Sequence, residues 1–95
     1  MANASSDVMY YCLDHVYWVK DKDQVVVVVE KQQSSFLFRG VELAIWTWLI
    51  SGYQTDELRK QISVLLAISE AESQNILLQT LESWFSKGIL GKEAA

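Results

Sequence analysis

Cys12 and His15 are the side chains best suited to nucleophilic or metal chemistry, and each is the only residue of its type. A tetrahedral zinc site needs several N, S or O ligands, usually in short pairs such as Cys-x-x-Cys or His-x-His. Neither spacing occurs, so the pattern argues against a metal site within one chain, and His15 reads as a strand-end histidine. No basic cluster beside Cys12 lowers its thiol pKa, which favours inert packing over attack. Asp56 and Glu57 stand where a helix would open, as do Glu70 and Glu72. Helix capping and the helix dipole account for these four. No two carboxylates stand among hydrophobics as an acid–base couple. The four glycines stand singly, so there is no phosphate-cradling loop. The chain therefore reads as a non-enzyme that calls for no cofactor.

Composition narrows the classes further. Ninety-five residues, 51% of them hydrophobic and 12% aromatic, suit one domain with its own core. That core is expected over about 8–90, with frayed ends at 1–6 and 91–95. One cysteine cannot form an internal disulfide. Met1–Asp7 lacks the basic and apolar runs of a signal peptide. No stretch approaches the ~20 apolar residues of a membrane span. A reduced, cytoplasmic setting without a membrane partner is the expectation. Eight Lys and Arg against twelve Asp and Glu leave a net charge of −4, which opposes general affinity for nucleic acid.

The elements that must position any site fall into two blocks. From about Val8 to Phe38 the residues favour strand. His15–Val19 is β-branched and aromatic, Val25–Val29 is an unbroken valine run, and Ser34–Phe38 is a third apolar segment. The charged segment 20–24 lacks Asn-Gly or Asp-Gly, so a loop longer than two residues is expected there. Glu30–Gln33 is a polar connection. These segments predict an antiparallel meander with the valines central. In the last strand Phe36 and Phe38 share one face and Leu37 points the other way.

After Gly40 the period becomes helical. Val41, Ala44, Ile45, Trp48 and Leu49 form one stripe, widened by Trp46 and Ile50, so this helix should be the buried centre with Trp46 or Trp48 inside. Gly52 closes it. Thr55 is the expected N-cap of a second helix, with Leu58, Ile62, Leu65 and Leu66 facing inward and an end near Ala67. Ser69 with Glu72 is a capping box for a third helix reaching about Lys87. Its core stripe is Leu77, Leu81 and Trp84, flanked by Leu78 and Phe85. Gly88 ends it, and Ile89-Leu90 fold back. The fold class is α+β, winged helix-turn-helix-like, with a three-stranded antiparallel sheet followed by three α-helices.

Winged helices commonly bind DNA. The third helix, however, carries Glu70, Glu72 and Glu82 against one Lys87, and would repel a phosphate backbone. Gln74, Asn75 and Gln79 read as solvated. Ser34–Phe38 is the more informative element. In a meander with central valines it is an edge, and it holds no Lys, Pro or charge before Arg39. Either a terminus or a second copy covers such an edge, or a peptide pairs with it by strand addition. A homodimer through the valine face or this strand stays open.

The runs Ile45-Trp46-x-x-Leu49-x-x-Gly52 and Leu77-x-x-Thr80-Leu81-x-x-Trp84-x-x-x-Gly88-Ile89-Leu90 carry a resemblance. Over roughly 14–90 the chain resembles the PqqD-like family, whose members are also called RiPP recognition elements. The resemblance implies recognition of the leader segment of a ribosomally made precursor peptide. It also implies presentation of that peptide to a partner such as a protease, cyclodehydratase or radical enzyme, without catalysis by the domain itself. The implied site is the edge strand Ser34, Ser35, Phe36, Leu37, Phe38 and Arg39, with Ile76, Thr80, Ser83, Trp84 and Lys87 of the third helix as its other wall. The family often has a bulky apolar residue where this chain has Thr80, a departure that bears on pocket depth. A DNA-binding winged-helix regulator, or a recognition domain cut from a larger maturase, is the alternative.

Overall fold

The computed structural model describes residues 8–94. The elements are β1 (Val8–Cys12), β2 (Val16–Asp21), β3 (Gln24–Val29), β4 (Ser34–Arg39), α1 (Gly40–Ile50), α2 (Thr55–Leu66), α3 (Glu70–Ser86) and β5 (Leu90–Ala94). Strands β2-β3-β4 form an antiparallel sheet with the valine strand in the middle, and three helices follow, as the sequence predicts. Val25, Val27 and Val29 enter the core, while Val28 faces out. A continuous apolar run thus serves a sheet covered on one face only.

A second sheet is not anticipated by the local pattern. Of the segment 91–95, expected to fray, residues 91–94 instead belong to β5, which pairs antiparallel with β1 from Val8↔Ala94 to Cys12↔Leu90, and residue 95 lies outside the described residues. Ile89 and Leu90 are fully buried and anchor this return, after a turn at Gly88 with φ +77°. Across the ladder, Gly91 lies opposite Tyr11, and any Cβ there would meet the Tyr11 ring at about 2.5 Å. The expected loose end at 1–6 lies outside the described residues.

Three further local expectations change. The β2–β3 connection is a two-residue turn at Lys22-Asp23, not a longer loop, and Lys22 takes φ +57°. That conformation is disfavoured for lysine, and the strong ladder on either side imposes it. Gln54, not Thr55, caps α2, with a reciprocal bond to Glu57. Leu65 and Leu66 do not face inward: they are 53% and 38% exposed, and Leu58 and Ile62 alone fill the inner face of α2. The Ser69–Glu72 capping box at α3 forms as expected.

The core centres on aromatics. Trp46 and Trp84 are buried, and Trp46 meets Trp84 edge-on at 5.6 Å, while Phe38 stacks on Trp84 at 4.5 Å. Trp18 covers Trp46 from β2 at 5.4 Å. Both buried indole N–H groups lack hydrogen-bond partners among the described residues, so ring packing must offset their desolvation. Trp48 is only half-buried and stacks on Tyr53. The Tyr10 hydroxyl donates to the Glu82 carboxylate, and Lys92 pairs with the same group at 2.8 Å. This network ties both strands of the small sheet to α3. No helix among the described residues is long and apolar enough to cross a membrane.

Candidate functional site

Among the described residues the β4 strand pairs with β3 on one side and with no strand on the other. Which of its main-chain groups are free follows from the register. In a two-residue hairpin the flanking residues, here Asp21 and Gln24, exchange both hydrogen bonds. At the far end of the same ladder the Glu30 N–H donates to the His15 carbonyl at 3.1 Å, in phase with that pattern. Even-numbered residues of β3 therefore bond to β2, and Val25, Val27 and Val29 bond to Phe38, Phe36 and Ser34. The N–H and C=O groups of Ser35 and Leu37 and the N–H of Arg39 are left pointing out of the sheet, while the Arg39 carbonyl, at the N-cap of α1, accepts the first bond of that helix. Hydrogen bonds to an incoming strand would be made at these three residues.

Side chains alternate in the same way. Leu37, 46% exposed, shares the uncovered sheet face with Tyr17, Val19 and Val28. Ser34, Phe36 and Phe38 face the helices, with Phe36 half-buried and Phe38 in the core. On α3, Ile76, Thr80, Ser83 and Lys87 are spaced i, i+4, i+7 and i+11 and form a stripe off the core face. The first three are half-buried and Lys87 is exposed. The Lys87 ammonium lies 5.3 Å from the centre of the Phe36 ring. With Phe38 stacked on Trp84 and Phe36 beside Lys87, β4 runs antiparallel to α3.

Two expected contact residues need correction. Trp84 is wholly buried, so it supports the wall from behind and presents no surface to a ligand. The Phe38 side chain is likewise committed to the core, and only its neighbours along the strand offer free main chain. Spacing already sets Trp84 on the core stripe of α3, and the stacking of Phe38 on it is decided by tertiary packing.

Other residues with chemical potential are accounted for structurally. Burial pushes the Cys12 thiol pKa up, aided by the Asp14 charge, which keeps it protonated and unreactive. His15 lends its carbonyl to the β3 ladder. Among the described residues no three His, Cys, Asp or Glu side chains converge on a metal position. Two surface concavities of about 540 Å³ lie away from β4, one between β1 and the α1–α2 turn, the other between α1 and the end of α2. Strand addition needs a free edge and not a cavity, so neither displaces β4 as the candidate.

No protein-family model matches the chain. No curated protein matches it either. Among solved structures, the chain is similar to "TbiB1 in Complex with the TbiA(beta) Leader Peptide", with a TM-score of 0.80 and 22% identity over 83% of this chain and 92% of that one. At that identity the two share a fold.

Proposed function

We propose that this domain is a PqqD-like recognition element that binds the leader segment of a ribosomally made precursor peptide and holds it for a separate modifying enzyme or leader peptidase. The observation that carries the reading is the free β4 edge, with the main-chain groups of Ser35 and Leu37 and the N–H of Arg39 unpaired among the described residues, in an element that holds no charge before Arg39. The shared fold with a protein solved in complex with a leader peptide supports it. The peptide adds antiparallel to β4. Its main chain supplies affinity, and every second side chain enters the groove beside Phe36, Ile76, Thr80 and Ser83. Thr80 is small, so the groove is deeper there than a bulky residue would leave it. The domain's contribution is effective concentration: a tethered substrate meets the enzyme's active site far more often than a free one. Catalysis belongs to that partner, and the setting is cytoplasmic.

A DNA-binding role is disfavoured by Glu70 and Glu72 in the first turn of α3, where a recognition helix approaches its target. The test is amide-shift mapping on titration with the N-terminal segments of short reading frames encoded beside this gene, and with duplex DNA in parallel. Shifts at 34–39 and 76–87 with a peptide are expected. Shifts confined to 20–24 or α1, or a response to DNA alone, would reject the reading.

A further inference from the structure

The groove end nearest the start of β4 is cationic in a chain that is acidic as a whole. Lys87 caps α3, where the negative end of the helix dipole favours a cation. Its ammonium rests over Phe36, and among the described residues no carboxylate lies within ion-pair distance of it. Arg59 and Lys92, by contrast, are neutralised by Asp56 and Glu70, and by Glu82. The strand β4 holds no acidic residue, and neither does the stripe Ile76, Thr80, Ser83. A half-covered ring with an unpaired ammonium above it is a surface for an apolar group next to a carboxylate.

We infer that the groove selects an acidic leader, in which an apolar residue entering beside Thr80 and Ser83 is followed two positions later by Asp or Glu facing Lys87 at the Phe36 ring. This rests on the leader-binding reading above. The spacing follows from the geometry. A strand antiparallel to β4 runs toward Ser34, and Lys87 lies at that end. Residues two apart share the groove face, whereas the residue between them points to the open face of the sheet. The carboxylate displaces Lys87 from Phe36 only partly, since both can contact the ammonium at once.

The test uses synthetic decapeptides of Thr, Val and Ser with Leu fixed at position 5 and Asp, Gln or Lys at position 7, titrated into isotope-labelled protein and read at the amides of Ser35, Leu37 and Arg39. Asp is expected to bind about threefold more tightly than Gln and about tenfold more tightly than Lys, the size of an exposed charge contact. Moving Asp to position 6 should abolish the gain. Lys87→Gln should level the series with melting nearly unchanged, because Lys87 is exposed, and Lys87→Glu should invert it with a small fall in melting, since it sets an anion at the negative end of the α3 dipole. High salt should compress the series. If the peptides shift the β4 amides with an order indifferent to residue 87, the charge selection is wrong while strand addition stands. If no peptide shifts those amides, both fall.

Discussion

Replacing Leu37 by proline separates the free edge from the fold. The Leu37 N–H points away from β3, so proline there removes no ladder bond, and its fixed φ is tolerated on an edge strand. The side chain is 46% exposed, so little core is lost. The stability cost should stay below about 1 kcal/mol, which for a domain of this size is a fall of no more than about 4–8 °C in melting temperature. An incoming strand loses one main-chain donor, a net loss of about 0.5–1.5 kcal/mol or two- to tenfold in Kd. The proline ring also stands where the ligand's carbonyl would approach, so the loss should reach at least the upper end of that range. The paired control is Phe36→Pro. It breaks a bond to Val27, leaves a buried carbonyl unsatisfied and removes a half-buried ring, and should melt far lower or fail to fold. Circular dichroism melting and fluorescence anisotropy with a labelled leader read the two effects. A Leu37→Pro protein that unfolds while Phe36→Pro stays folded would show the register alternation to be wrong. One that folds and binds with unchanged affinity would remove β4 as the site.

Trp84→Ala should cost about 3–5 kcal/mol, because the ring is fully buried against Phe38 and Trp46, and urea titration should show most of the domain's stability gone. Thr80→Asp should weaken leader binding with little change in melting, since Thr80 is half-buried and off the core stripe; an unchanged Kd in calorimetry would show that the groove does not extend there. Tyr10 is pushed up to about 12 from an ordinary 10.0, by burial first and then by its bond to Glu82. The folded state therefore holds the phenol proton longer than the unfolded one, so this stability is full below pH 10 and is lost as pH rises toward 12. Tyr10→Phe should be less sensitive than the wild type over that window in chemical denaturation. Glu82 is held below its ordinary 4.5, first by the Lys92 hydrogen bond, so its contribution is present above that pH and lost on acidification. Lys92→Met should flatten the acid limb.

The parts legible in the sequence depend on residues within a few positions of one another. Ser69 and Glu72 meet one helical turn apart, and Gly52 and Gly88 end helices by their own backbone freedom. The valine run is a central strand because nothing in it can tolerate solvent on both faces. These local signals determined the order of elements, the meander and the three helices. The outcome was decided by tertiary structure wherever two distant segments had to meet. Val8 finds Ala94 only once the helices have brought the two segments together, so the strand propensity that begins at Val8 gives no local sign of its pairing with β5. The ladder forces Lys22 into a conformation its own side chain disfavours. Leu65 and Leu66 have the spacing of an inner face, yet α2 turns only Leu58 and Ile62 inward, because α3 packs against that narrower stripe. Trp84 reads equally as core and as groove wall until Phe38 stacks on it. The availability of the Leu37 amide is likewise a matter of register. A strand's composition says that it is an edge, but only its hydrogen-bonded pairing to β3 decides which of its amides remain free.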